Sequence, residues 1–256
     1  MASEPGRHFA FMIEARELTK IFRDKKRGEI RAVDGVSFRC EPGKIFGLLG
    51  VNGAGKTTCL RMLATILRPS SGAASVNGYD VVNEPEKVRA NIGFLSTATA
   101  LYGRLTALEM VEYFGRLHGL SREVLRARVE TIFAALDMNE FRDRRCDKLS
   151  TGMKQKVSIA RTLVHDPPVM IFDEPTNGLD VLISRTVVNF IRDCRERGKT
   201  VIFSTHVMRE AEKLCDTIAF IHNGRILAAG ALGPLRERAG AQDLEDVFIA
   251  ILEGNR

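Results

Sequence analysis

Four short runs of uninterrupted apolar residues, at 45–49 (IFGLL), 169–172 (VMIF), 201–203 (VIF) and 218–221 (IAFI), constrain the fold of this chain more than any other feature. A strand with one wet face alternates apolar and polar residues, whereas a strand covered on both faces does not need to. Helical periods lie between the runs. One covers Thr57 to Leu67, and another places Val187, Phe190 and Ile191 at i, i+3 and i+4. Strand–helix alternation of this kind predicts an α/β fold with a mainly parallel, doubly wound sheet. With 256 residues, 45% of them hydrophobic, the chain can bury a core without disulfides.

The middle of the chain breaks the alternation. Leu125, Val129, Ile132, Phe133 and Leu136 mark one helical stripe, and Met153, Val157, Ala160 and Val164 mark another. Residues 97–164 are therefore expected to form an all-helical subdomain inserted between the two parts of the α/β core, 11–96 and 165–234. Leu244, Val247, Phe248, Ile251 and Leu252 predict an amphipathic helix within 235–256, docked on its own subunit.

Cys40, Cys59, Cys146, Cys194 and Cys215 are scattered, odd in number and without a C-x-x-C pair, a pattern that suits free thiols in a reducing compartment. No apolar run reaches the roughly 18–20 residues of a spanning helix, and the N-terminus lacks a signal-peptide pattern. A soluble, cytoplasmic chain is expected. The net charge of +6 permits contact with nucleic acid but does not require it. Both dense basic clusters, 23–27 and 142–145, are interrupted by acids and read as solvated turns, so no nucleic-acid partner is expected.

Gly50-Val-Asn-Gly-Ala-Gly-Lys56-Thr57 matches the phosphate-binding pattern G-x-x-x-x-G-K-[ST], between a strand and a helix. Glycines let consecutive N–H groups face a polyphosphate, and the helix N-terminus adds its dipole. Gly50, Asn52, Gly53, Ala54, Gly55, Lys56, Thr57 and Thr58 are the expected nucleotide-binding residues. Lys56 supplies charge to the β- and γ-phosphates, and the Thr57 hydroxyl is a hard ligand for Mg²⁺. The loop alone does not separate ATP from GTP, or a kinase from a hydrolase.

Asp173-Glu174-Pro175 follows the second apolar run. A carboxylate at the end of a buried strand stands where Mg²⁺ needs a direct or water-mediated ligand, so Asp173 is expected to serve the metal. Glu174, one residue on, is placed to orient and polarise the attacking water. His206 ends the next strand and can hydrogen-bond a γ-phosphate or hold the water–carboxylate geometry.

In this order, these residues resemble the ATP-binding cassette (ABC) family over nearly the whole chain. The discriminating piece is Leu149-Ser-Thr-Gly-Met-Lys-Gln155, which is similar to the family signature L-S-G-G-Q. The resemblance implies a P-loop NTPase, RecA-like, with a small N-terminal antiparallel β part. It also implies that two cassettes pair head to tail, with Ser150 and Gly152 of one closing over ATP on the other. Phe22 resembles the aromatic that stacks on adenine, and Gly178-Leu-Asp180 the loop touching the opposite cassette. Thr151 and Met153 depart from the usual Gly and Gln. Thr97 stands where a glutamine near Mg²⁺ is usual and is carried over as a candidate metal-site residue.

The segment 94–106 and the S-T-G-M signature look like the NatA-type sodium-efflux branch of exporters, and the ending Leu244-Glu-Asp-Val-Phe248 is similar to tails in the wider exporter group. The resemblance thus implies an ATPase with ATP and Mg²⁺. It would be a homodimer when ATP-bound, peripheral on the inner face of the plasma membrane, and would power an integral-membrane permease on another chain. Sodium efflux is the favoured cargo reading, with drug, lipid or polysaccharide export as the alternative. A soluble cassette acting on nucleic acid or ribosomes is the rival, weakly supported by the basic pI. A non-hydrolysing regulatory cassette is disfavoured by Glu174 and His206.

Overall fold

The computed structural model describes residues 11–24, 28–96 and 100–254. Two sheets form its frame. The first is antiparallel, in the order β2-β1-β4-β5, from β1 (Ile13–Asp24), β2 (Gly28–Cys40), β4 (Ser71–Val76) and β5 (Tyr79–Asp80). The second has the order β10-β9-β3-β8-β7-β6. It runs from β10 (Arg225–Gly230) through β9 (Thr217–His222), β3 (Ile45–Leu49), β8 (Thr200–Thr205) and β7 (Val169–Asp173) to β6 (Ile92–Ser96). Five of these strands are parallel, and β10 pairs antiparallel with β9. This is the α/β P-loop architecture with an antiparallel β part.

The apolar runs become strands buried on both faces: every residue of β3, β7 and β8 is buried. One face is covered by α1 (Lys56–Leu63), which wedges Cys59, Leu60, Met62 and Leu63 between the parallel sheet and the antiparallel one. The helix stops at Leu63, short of the periodicity that ran to Leu67, because Thr65 turns to φ 60°. The other face is covered by α6 (Val181–Glu196), α7 (Met208–Leu214) and α9 (Leu244–Gly254). Phe172, Phe203 and Phe220 are fully buried, each stabilising the fold by about 1.5–3 kcal/mol relative to exposure. All five cysteines are buried free thiols, and burial pushes Cys59 and Cys194 up to about 12.

Between β6 and β7 the chain builds a helical lobe of α3 (Ala107–Leu117), α4 (Arg122–Ala135) and α5 (Thr151–Leu163). A preceding short helix, α2 (Pro85–Asn91), leads into β6. Local signals start each lobe helix. Thr106 and Glu109 form a reciprocal capping box, and Ser121 and Ser150 each accept a hydrogen bond from the third backbone N–H after them. The lobe has a core of its own, with Met110, Leu125, Val129, Phe133, Val157, Ala160 and Val164 in one cluster. Ile132, Leu136 and Met153 are only partly buried against it.

At the seam with the α/β core, His165 Nε2 donates to the Ile92 carbonyl at 2.9 Å, and the His118 and His165 rings stack 3.5 Å apart. Burial holds His165 down to about 4, with the neighbouring His118 adding to the shift.

The tail differs from a single helix. A short helix α8 (Leu232–Ala239) ends at Gly240 before α9 begins. Leu244, Val247, Phe248 and Ile251 of α9 then join the core of this same subunit. Among the described residues, no helix is long and apolar enough to cross a membrane.

Candidate active site

The carboxyl ends of the central strands carry the chemistry. Ser96, Asp173 and Ser204 are direct register partners across β6, β7 and β8, so one row of the sheet presents a carboxylate flanked by two hydroxyls. Asp173 is buried. Its Oδ1 accepts from Thr57 Oγ1 and from Ser204 Oγ, both at 2.9 Å, and its Oδ2 accepts from Ser96 Oγ at 3.4 Å.

The phosphate-binding loop lies beside this row. Gly55 has φ 108°, and a Cβ there would lie 2.4 Å from the Ala32 carbonyl oxygen. A Cβ at Gly50 would lie 2.2 Å from the Ile221 carbonyl oxygen. The loop is therefore pressed against both sheets, against β2 through Gly55 and β9 through Gly50, as well as open to one side. The first N–H groups of α1 have no intrahelical acceptors, and Lys56, Thr57 and Thr58 at that end line the open side. Lys56 is 5% exposed; its ammonium donates to the carbonyls of Gly50 at 2.6 Å and Val51 at 3.1 Å. The same ammonium lies 2.9 Å from Glu174 Oε1, as a charge pair without hydrogen-bond alignment.

Glu174 is the pivot of the site. Its Oε2 lies 2.7 Å from His206 Nδ1, so the carboxylate is held between Lys56 and the imidazole. Its backbone is left-handed, φ 49°, which strains a residue with a side chain. The strain is held by the Glu174 N–H, which donates to the Ser204 carbonyl and hydroxyl, each at 3.1 Å. Beyond it, Thr176 Oγ1 donates to Glu210 Oε2 at 2.8 Å, and Gln155 Nε2 of α5 donates to the Pro175 carbonyl at 3.3 Å. Burial raises Glu210, and the Glu174 charge adds to this, against the lowering effect of the Thr176 hydrogen bond.

A cavity of 400 Å³ opens over these groups, lined by Asn52, Gly53, Ala54, Gly55, Lys56, Thr57, Thr58, Asp173 and Glu174. Ala32, Arg61, Ser96 and Asn177 line it too, and sequence reasoning missed all four. Ser96 and Ser204 were legible only through strand register. Gly50 contributes its carbonyl from behind. Phe22 does not line the cavity: it sits 39% exposed on β1, opposite Ile30, with the Lys20 ammonium 5.3 Å from its ring centroid. Thr97 lies outside the described residues.

Ser150 and Gly152 do not line this cavity either. Ser150 is the exposed N-cap of α5, its hydroxyl accepting from Met153 N–H at 3.3 Å. Asp180 caps α6 in the same way, through the N–H groups of Leu182 and Ile183.

The donor set fits a hard cation. Thr57 and Asp173 offer a hydroxyl and a carboxylate side by side, and Mg²⁺ takes few protein ligands while keeping water and phosphate oxygens. Among the described residues, no three His, Cys, Asp or Glu side chains form a metal cage of their own.

Known proteins carry the same design. The sequence model of the ABC transporter family matches residues 33–177. The ABC transporter ATP-binding protein NatA of Bacillus subtilis (strain 168) is 44% identical over 242 residues, covering 94% of this chain and 98% of that one. The Nod factor export ATP-binding protein I of Paraburkholderia xenovorans (strain LB400) is 39% identical over 224 residues, 88% of this chain and 74% of that one. Among solved structures, a dimeric ATP-binding cassette in a post-hydrolysis state, bound to ADP and phosphate, superposes with a TM-score of 0.78 at 26% identity. That match covers 86% of this chain and 99% of the other. The family match over more than half of the chain and the near full-length likeness to NatA place this chain in the ABC transporter family, as an ATP-binding cassette and an ATPase.

Proposed function

We propose that two copies of this chain form a nucleotide-driven clamp that powers export through an integral-membrane permease carried on another chain. ATP is bound by the phosphate loop of one copy and closed over by Ser150 and Gly152 of the other. The observation that carries this reading is Glu174, held 2.9 Å from Lys56 and 2.7 Å from His206 at the mouth of the cavity.

Lys56 draws charge from the terminal phosphates. Glu174 orients the attacking water and accepts its proton, and His206 fixes the carboxylate's aim through Nδ1. Asp173 and Thr57 would hold Mg²⁺, which supplies neutralisation of the phosphate charge. Ser204 and Ser96 keep the Asp173 carboxylate turned toward that position.

Ser150 and Gly152 do not line their own cavity, and a similar solved cassette is a dimer. Both facts support a site completed in trans. Because those contacts exist only when ATP bridges the copies, nucleotide favours the closed dimer and hydrolysis releases it. Membership of the family supports a station at the cytoplasmic face of the membrane.

Sodium is the favoured cargo, through similarity to NatA over 94% of the chain. Export of a larger organic molecule is the alternative, supported by the Nod factor relative.

The decisive variant is Glu174→Gln. Turnover should fall by more than about a hundredfold, and ATP-bound dimers should accumulate on size exclusion. Parental turnover would assign the water to another group. ATP-driven uptake of radioactive sodium into inverted vesicles, containing this chain and the membrane protein that co-purifies with it, tests the cargo. ATP-dependent transport of another solute without sodium would select the alternative.

A further inference from the structure

The Glu174 carboxylate is aimed by a strained backbone, and the residues that hold that backbone come from three directions. On its N-terminal side the grip is from β8, through the Ser204 carbonyl and hydroxyl. On its C-terminal side Thr176 ties the loop to Glu210 of α7, and the Asn177 N–H closes a turn on the Glu174 carbonyl at 3.1 Å. The third hold is from the helical lobe: Gln155 of α5 donates to the carbonyl of Pro175, the residue immediately after Glu174. A left-handed residue with a side chain persists only where its surroundings over-determine it, so each hold bears on where the carboxylate points.

Gln155 belongs to the same helix as Ser150 and Gly152. Ser150 caps α5, Gly152 sits in its first turn, and Gln155 follows in the second. That first turn lies close to the segment following Glu174: a Cβ at Gly152 would lie 2.9 Å from the terminal Cδ1 of Ile183, at the start of α6. Thr151, Lys154 and Gln155 of α5 also face Asn177, Gly178 and Leu179 across one shared cavity. Displacement of α5 therefore acts on the Pro175 peptide through a polar bond.

We propose that Gln155 is a positioning residue for Glu174, placing the aim of the water-activating carboxylate under the control of the helix whose first turn receives the other copy's nucleotide. This rests on the head-to-tail reading above and deepens it. ATP held by the second copy against Ser150 and Gly152 then sets the geometry of this copy's own hydrolytic site, so each site senses the occupancy of the other.

The test uses Gln155→Leu, which keeps apolar bulk and loses the donor, and Gln155→Lys, which restores a donor on a longer stem. Steady-state hydrolysis is measured for both, and ATP-driven dimerisation is measured with each substitution added to Glu174→Gln. Gln155→Leu should lower kcat about fivefold to tenfold, with KM for ATP changed by less than about twofold and dimerisation at the same ATP concentration. Gln155→Lys should recover a large part of the lost kcat.

The proposal is overturned if Gln155→Leu turns over like the parent, if Gln155→Lys is as slow as Gln155→Leu, or if dimerisation fails in step with kcat. Failure of Glu174→Gln alone to dimerise with ATP would instead sink the head-to-tail reading.

Discussion

The phosphate loop and the signature turn both sit at the start of a helix preceded by a serine or glycine cap, yet they are built for opposite situations. The loop is backed by its own sheet, and its functional groups are already engaged: Lys56 with two carbonyls and Glu174, Thr57 with Asp173. The signature turn is exposed, and its serine does no more than cap its own helix. On the head-to-tail reading proposed above, one half of the site is assembled within the chain and the other is presented outward. Groups that must grip a polyphosphate without reorganising are held in advance by partners that the ligand replaces. A surface that must let go after each cycle cannot be so committed.

The largest effect that bears on this contrast is expected at Lys56. Lys56→Ala removes a buried charge and leaves Glu174 facing the cavity without its cation, so nucleotide affinity should drop about a hundredfold or more. Titration calorimetry on the isolated chain reads this directly. Unchanged affinity would mean that the preassembled half does not hold the phosphates.

A smaller effect, confined to association, is expected from Ser150→Asp. Aspartate is as good an N-cap as serine, so the melting temperature should hold. Its charge repels phosphate, so ATP-driven dimerisation in the Glu174→Gln background should need about tenfold more ATP or fail. Nucleotide affinity of the separate chain should not move. If that affinity falls as well, the two halves are not separable in the way their geometry implies.

The effect farthest from nucleotide binding concerns the stability of the seam between the regions. His165 stays neutral in the folded protein down to about 4, whereas the unfolded chain protonates near its ordinary value of 6.5. Between those values the unfolded state binds more protons, so stability must decline as pH falls through this window. His165→Gln should flatten that decline in urea melts taken from pH 7 to pH 4. An equal slope in parent and variant would assign the pH dependence elsewhere.

Much of the catalytic half was legible in the sequence because its signals are local. The glycine pattern, Asp173-Glu174 after an apolar run and His206 after another each lie within a few residues of the strand that presents them. What was not legible depends on register and on packing between distant segments. Ser96 and Ser204 flank Asp173 only because three parallel strands align at those residues. Gln155 meets Pro175 only because the lobe folds back over the strand that follows it. The left-handed backbone of Glu174 contradicts its local preference and is imposed by Ser204, which the Asp-Glu-Pro string does not announce. Phe22 illustrates the converse. The family resemblance suggested it as a stacking surface for adenine, and its strand places it exposed and apart from the residues that line the phosphate-side cavity.

The two glycines wedged against backbone carbonyls alter how genetic variation in the phosphate loop should be interpreted. Replacing Gly50 or Gly55 drives a methyl into the Ile221 or Ala32 peptide and pries the loop from β9 or β2 before any ligand arrives. An inactive allele at either position reports a damaged seam between domain layers and says little about phosphate recognition. Suppressors of such alleles should then map to the strands behind the loop.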